Sequence, residues 1–135
     1  MFDETLMEQV LAAPIIASGL FPRIAWANGG KTVPERPYLA LELVPVDVVD
    51  DTTSGANPRW VGFLQGSIVM AQGGFETSGK ALRKQLGDLF TKGQRLTLGA
   101  TGYKIVVQRH PKTIQGYPAG GDYRLPLQIF LRTEG

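Results

Sequence analysis

Alternating hydrophobic and polar positions, the pattern of a half-buried β-strand, begin at Tyr38. Leu39, Leu41 and Leu43 share one face of this segment. Pro45 follows, and because proline has no N–H to donate to a sheet ladder, it indicates a sheet edge or a bulge. The pattern therefore predicts a strand that is edged or bulged at Pro45.

The clearest alternation lies near the end of the chain. Its apolar face carries Tyr123, Leu125, Leu127, Ile129 and Leu131, and its other face carries Arg124, Gln128 and Arg132. This pattern predicts a final strand. Pro126 lies within it and again indicates an edge or a bulge.

Residues 60–71 are a strand candidate that is apolar on both faces. Trp60, Leu64, Ile68 and Met70 point one way, and Val61, Phe63 and Val69 point the other way. We expect the core on one side and a helix or a neighbouring molecule on the other. Shorter strands are predicted at 24–27, 95–98 and 102–108, the last two as a hairpin through 99–102.

Helical spacing of apolar residues occurs in two segments. Residues 3–13 begin with acids that complement the helix dipole, and Pro14 ends this helix, kinks it or starts one further turn. Residues 77–90 form the second helix, with Thr77 as a possible N-cap and Gly93 as a C-terminal stop. Its apolar stripe consists of Leu82, Leu86, Leu89 and Phe90.

Turn-forming and polar residues fill two long segments, 50–58 and 111–121, which predict exposed loops. We expect 50–58 and 114–121 to be mobile in the isolated subunit. Two helices among about six strands predict an α+β fold in one domain spanning residues 1–135, with a mainly antiparallel, mixed sheet packed against both helices.

Composition narrows the class of protein. The chain has 135 residues, 43% hydrophobic and 19% charged, with a formal charge of +2, all ordinary for a globular domain. There is no cysteine, which removes disulfides and thiolate chemistry and favours a reducing, intracellular origin. The apolar stretch at 10–21 is too short to span a bilayer and is preceded by acids, so neither a membrane span nor a secretory signal is expected.

The sharpest local motif is G-x-x-x-x-G-K, from Gly74 to Gly79 and Lys80, between a predicted strand and a predicted helix. Ala81 replaces the hydroxyl that would hold Mg²⁺, and Glu76 would place negative charge among the phosphates. A glycine-rich helix entrance is therefore favoured over a nucleotide site. We expect no catalytic residue and no cofactor.

Other candidate chemistry is sparse. His110 is the single histidine and has no local triad partner, so an exposed loop residue is favoured. Asp47, Asp50 and Asp51 lack the spacing of a calcium loop, which favours a solvated cluster and no metal. Five cations lie on the second helix and just beyond it: Lys80, Arg83, Lys84, Lys92 and Arg95. We interpret them as a solvated helix face, and the alternative is a surface that binds an acidic partner or DNA phosphates.

Taken together, these segments resemble a phage tail terminator-like family, related in role to the minor tail protein U group. The resemblance follows IAWAN at 24–28, PxxPYL at 34–39, ELVP at 42–45 and WxGxLQ at 60–65. It continues through ALxxxLxxLF in the second helix to YRLPLQI at 123–129. These pieces span nearly the whole chain and contain no catalytic signature.

The resemblance implies a virion tail protein, assembled in the host cytoplasm, that forms a ring of six on the last tube ring. Such a ring stops tube polymerisation and offers a surface to the head-side connector, with DNA only as passing cargo and no substrate. Candidate interface residues are Asp50, Asp51, Arg59, Trp60, Lys80, Arg83, Lys84 and Tyr117. The alternatives are a head–tail connector (neck) protein and a small nucleic-acid- or nucleotide-binding domain.

Overall fold

The computed structural model of the chain describes residues 3–21, 23–26, 36–50, 58–73 and 76–134. Ten elements follow one another in the order α1 Glu4–Ser18, β1 Ile24–Trp26, β2 Tyr38–Asp50, β3 Pro58–Ala71, α2 Glu76–Asp88, β4 Arg95–Thr97, β5 Lys104–Val107, β6 Lys112–Thr113, β7 Tyr117–Ala119 and β8 Asp122–Glu134. Two helices and a mixed sheet confirm the α+β class.

The first helix continues through its proline. Asp3 caps it by accepting a hydrogen bond from the Leu6 N–H at 3.2 Å, and Pro14 lies inside it. Leu11 and Ile15, on either side of Pro14, are fully buried, and we infer that their packing offsets the backbone bond that proline removes. The helix ends at Ser18 and is capped by Gly19, whose φ of 69° lies in the left-handed region that glycine favours.

The sheet runs β1-β2-β3-β8-β5-β4, and β6 and β7 also pair with β8. Among the described strands, only β1 and β2 run parallel, and every other pair is antiparallel. The long strand β8 therefore has β3 along one side and β5, β6 and β7 in succession along the other. The prediction that residues 111–121 form a loop was therefore wrong in part, because the strands β6 and β7 lie within this segment. Residues 51–57 of the other predicted loop lie outside the described residues.

The two strand prolines behave differently. The register of β2 against β3 shifts between Pro45 and Asp47, which confirms the predicted bulge. Pro126 lies in central β8 opposite Ser67 with no shift, so the edge or bulge predicted there was wrong. The Pro126 carbonyl accepts a hydrogen bond from the Ile114 N–H at 3.2 Å. Because the nitrogen and the carbonyl of one residue point to the same side of an antiparallel strand, the proline nitrogen, which carries no hydrogen, also faces the irregular segment between β6 and β7. No hydrogen bond to β3 is lost, and a central strand can tolerate this proline.

One hydrophobic cluster joins both helices to the same face of the sheet. Met7, Leu11 and Ile15 of α1 and Leu86 of α2 belong to it together with alternate residues of β3 and β8. We call this the helix-covered face and the opposite one the open face. Neither helix is long and apolar enough to cross a membrane, as far as the described residues show.

Burial along β3 shows where the open face is covered. From Trp60 to Gly66 buried and half-buried residues alternate, with Val61 and Phe63 half-buried on the open face. From Gly66 to Val69 every residue is buried. Both sides of β3 are therefore covered within the subunit from Gly66 to Val69, whereas cover of the first half by a neighbouring molecule stays a prediction.

The second helix and the hairpin lie close to their predicted positions. Helix α2 begins at Glu76, so Thr77 is a helical residue and not the N-cap. Gly93, with a φ of 85°, lies in the turn that follows. The β4–β5 hairpin closes through Gly99 and Gly102, both at positive φ, with the Leu98 N–H donating to the Tyr103 carbonyl at 3.0 Å.

Candidate functional site

The candidate interface residues lie at separate places in the fold. Asp50 ends β2, Arg59 and Trp60 begin β3, Lys80, Arg83 and Lys84 lie on α2, and Tyr117 lies on β7. Asp51 is outside the described residues. Helix α2 packs near Gly66 and Met70, far along β3 from Trp60. Ten residues of strand separate Trp60 from Met70, which corresponds to roughly 33 Å. The structure therefore divides these residues into two distant groups.

Trp60 belongs to the core. Its residue surface is 3% exposed, and its backbone N–H donates to the Thr133 hydroxyl at 2.8 Å. Arg59, beside it, is half-buried on the open face. A partner that approached this end would contact Arg59 and the exposed parts of β2, with little access to the indole.

Arg83 differs from its two lysine neighbours. Its Nη1 donates to the carbonyls of Ile114 and Pro126, at 2.6 and 3.2 Å. Lys80 is exposed, and Lys84 is exposed and pairs with Asp88 at 2.9 Å, one helical turn away. The expectation of a uniformly solvated basic face was therefore wrong for Arg83, which fastens α2 to the segment between β6 and β7.

The G-x-x-x-x-G-K motif does not form a phosphate cradle in the part that the structure describes. Helix α2 already begins at Glu76, so Gly79 and Lys80 lie within the helix rather than at its first turn. A Cβ on Gly79 would collide with the Met70 sulfur and would lie 2.6 Å from Leu125 Cδ1. A larger residue at position 79 would have to displace the Met70 and Leu125 side chains, so glycine allows close packing of α2 on the sheet. Gly74 and Phe75 lie outside the described residues.

The remaining candidate ligands are dispersed. His110 is exposed in the segment between β5 and β6, as predicted. Asp47 is exposed on β2, where its carboxylate accepts the Val48 N–H at 2.8 Å. Within the described ranges, no group of three or more histidine, aspartate or glutamate side chains is close enough to hold a metal ion.

Sequence analysis did not identify the outer side of residues 42–50 of β2, which we call the open end, as a contact surface. Strand β1 pairs with β2 only at residues 39–41, so on that side residues 42–50 face no other described strand. Val46 is 65% exposed and Val48 is 57% exposed. A cleft of about 670 Å³ adjoins Val48, with Leu6, Leu98 and Tyr103 among its apolar walls. The run of valines after Pro45 was the available signal, because it continues the strand alternation beyond the proline.

The open face also carries an aromatic contact that the sequence did not predict. The Phe63 and Phe130 rings pack with centroids 5.7 Å apart and an interplanar angle of 49°. The Arg109 guanidinium lies 3.7 Å from the centre of the Phe130 ring, in cation–π geometry. Phe63 and Phe130 therefore form a half-buried apolar contact on the face that neither described helix covers.

A groove runs between α1 and the β1 edge of the sheet. Ala12, Ile16 and Trp26 contribute apolar surface to it, and Ile16 is 66% exposed. Glu8 lines the same groove, where burial and, to a smaller extent, the charge of Glu4 raise the pKa of the Glu8 carboxyl. This groove is a further surface available for contact.

Known proteins resemble this chain in sequence pattern and in fold. A family model described as phage tail terminator protein matches residues 6–130. One solved chain is 18% identical, with a TM-score of 0.78 over 100% of this chain and 98% of its own. A chain from the virion of a native gene transfer agent particle is 21% identical, with a TM-score of 0.56 over 93% of this chain and 85% of its own. A search of curated protein sequences gives no match.

Proposed function

The chain belongs to the phage tail terminator family, and from that premise we propose that it caps the tail tube as a ring. The ring stops tube polymerisation and presents its other surface to the head-side connector. Six copies form the ring in this proposal. The chain is a structural protein of a phage tail, and the likeness to a gene transfer agent virion chain supports a place in a virion at the level of the fold.

The observation that carries the ring proposal is that the sheet has two dissimilar ends. Strand β2 lies near one end, with residues 42–50 unpaired on their outer side, and β4 lies at the other end. Both statements hold for the described strands. A closed ring of identical subunits requires two different, complementary patches on each copy. The difference between the two ends of this sheet supports the proposal.

Docking on the tube provides the assembly control. The free subunit is monomeric or weakly associating in this proposal, because a ring that closed tightly in solution would compete with docking. On the tube end each subunit also contacts the tube, and the high effective concentration of its neighbours favours ring closure there.

Deleting the gene tests the proposal, with tail length and head attachment scored by electron microscopy. Overlong tubes without heads are the expected result. Tails of normal length that lack heads would indicate a neck protein instead. Tails of normal length joined to heads would overturn both assignments.

A structural role also implies the absence of turnover. With ATP or GTP and Mg²⁺, the purified protein should show no hydrolysis that depends on Lys80, so Lys80→Ala should not change the rate. The reason is that Gly79 and Lys80 are helical residues and Ala81 cannot ligate the metal. A Mg²⁺-dependent rate lost with Lys80 would restore the nucleotide hypothesis.

A further inference from the structure

Two rows of paired residues cross the open face, each with an acid on β2. In the first row, five residues on successive strands are cross-strand neighbours. In order from β2 to β4 they are Asp47, Val61, Arg132, Val106 and Arg95. The row begins with an exposed carboxylate and ends with an exposed guanidinium on β4. Four strand spacings separate its ends, a distance of roughly 20 Å.

The second row repeats this polarity. Glu42 pairs with Gln65, Gln65 with Gln128, and Gln128 with Lys112 on β6. Glu42 and Lys112 are exposed, and the two glutamines between them are joined by a side-chain hydrogen bond of 3.4 Å. Both rows are therefore acidic at the β2 end and basic at the far end.

The basic end is only weakly neutralised within the subunit. Arg95 lies 3.4 Å from Glu134, and their side chains are 50% and 41% exposed, which is a solvent-screened pair. Lys92 and Arg132 line the same shallow groove as Arg95. An incoming carboxylate would thus meet several cations.

The direction of the strands permits a head-to-tail contact. The antiparallel pairs from β2 through β3, β8 and β5 to β4 leave β4 parallel to β2. A second copy placed beside the first along these rows would lay its β2 parallel to β4 of the first copy. The backbone edge of residues 42–50, which no described strand pairs with on this side, and the exposed Val46 would then be covered.

We propose that neighbouring subunits of the ring meet edge to edge, with Asp47 of one copy against Arg95 of the next and Glu42 against Lys112. This inference rests on the ring proposed above and identifies the contact between its copies. The backbone edge and Val46 supply contact area, whereas the charges select the partner edge. Two β2 edges brought together would oppose like charges, which disfavours a two-fold dimer and favours the head-to-tail arrangement.

Charge reversal tests the arrangement in phage lacking the native gene. The acid-edge variant Glu42→Lys/Asp47→Lys has two basic edges, and the basic-edge variant Arg95→Glu/Lys112→Glu has two acidic edges. Each alone should reduce the yield of correctly terminated tails by about tenfold or more, since like charges meet at every contact. Co-expression should restore the yield, because alternating copies match at every contact of an even-numbered ring. The variant with all four changes should also restore it.

The control is Thr77→Glu/Gln85→Glu, which adds negative charge at two exposed positions of α2 that are not candidate interface residues. It should terminate tails normally. Full activity of both edge variants, or loss of activity only in the α2 variant, would overturn the proposal. Failure of co-expression and of the four-fold variant to rescue, with all variants folded by circular dichroism, would overturn it as well.

Cysteine cross-linking locates the contact directly, because the native chain has no cysteine. Purified Asp47→Cys/Arg95→Cys should give an oxidation ladder of dimers, trimers and higher species at high concentration, while each single variant should remain uncross-linked. A strong dimer of Asp47→Cys alone, or no ladder, would contradict the contact. If gene deletion gives overlong tubes but the ladder is absent, only this inference fails; if deletion leaves normal tails joined to heads, the proposed function fails.

Discussion

Two regions of the molecule, the α2 end where α2 packs on β3 and β8 and the β2 end along the outer side of β2, use their residues for different purposes. At the α2 end, Arg83 is tied to two backbone carbonyls and Gly79 packs against Met70 and Leu125. At the β2 end, Val46 and Asp47 are exposed beside a strand edge that no described strand pairs with. The end with the recognisable sequence motif uses it for packing within the subunit. The end without a motif keeps the surface that a neighbouring subunit could cover.

Gly79→Val provides the largest test of the packed end. The added side chain would collide with Met70 and Leu125, and we expect a loss of about 3 kcal/mol in the free energy of unfolding. Ala81→Val is the matched control, since residue 81 is exposed on the same helix, and it should cost only about 0.6 kcal/mol from helix propensity. Urea denaturation measures both, and equal losses would show that Gly79 is not a packing residue.

Arg83→Met sharpens the contrast between the cations of α2. Removing the guanidinium leaves the Ile114 and Pro126 carbonyls without this donor, and we expect a loss of about 2 kcal/mol, typical of hydrogen bonds to a charged group. Lys84→Met should cost less than about 0.5 kcal/mol, because its pair with Asp88 is exposed.

Hydrogen exchange gives a local measurement of the same change. The Ile114 amide, which donates to Pro126, should exchange faster in Arg83→Met than in Lys84→Met. Equal exchange rates and equal stabilities would mean that Arg83 is an ordinary surface cation.

Val46→Ser tests the open end. Because this valine is 65% exposed, its replacement should change the free energy of unfolding by no more than about 0.5 kcal/mol. Tail termination should fall if residue 46 lies in the contact between copies. Val69→Ser, a fully buried position in the same sheet, is the contrasting variant and should lose about 2 kcal/mol or more. A large loss of stability in Val46→Ser would remove the distinction between the two ends.

The smallest effect is expected at Glu8, in the groove beside α1. Burial raises the pKa of this carboxyl in the folded chain, so the fold favours its protonated form. The associated stability is fully present below the unfolded pKa and is lost as pH rises through the folded pKa. Glu8→Gln should therefore be more stable than the native chain at pH 7 by no more than about 0.5 kcal/mol, and the difference should shrink as pH falls. Thermal melts from pH 3 to 7 measure it; a native chain that is the more stable at pH 7 would contradict the prediction.

Periodicity predicted the elements well because burial of one face imposes it directly. The alternation of Leu125, Leu127, Ile129 and Leu131 identified β8, and the leucine stripe identified α2. The bulge at Pro45 was also predictable, since the missing N–H acts locally. Family membership followed from the order and spacing of such segments, and the match over residues 6–130 confirms it.

The outcome at Pro126 required the tertiary structure. Its backbone nitrogen is harmless only because β6 and β7 leave a gap opposite it on β8, and no local pattern specifies that gap. The same holds for Arg83, whose acceptors lie 31 and 43 residues further along the chain. A cation on a helix looks solvated in the sequence until the fold places carbonyls beside it.

The sequence by itself determined the fold class, most strands and both helices, because hydrophobic burial, turn chemistry and proline geometry act over a few residues. Only the tertiary structure decided that Gly79 packs, that Trp60 is buried, and that Asp47 and Arg95 stand at opposite ends of one row. These properties depend on which strands become neighbours. Strand order joins residues far apart in the chain, and pairings at such separations leave no periodicity in a single sequence.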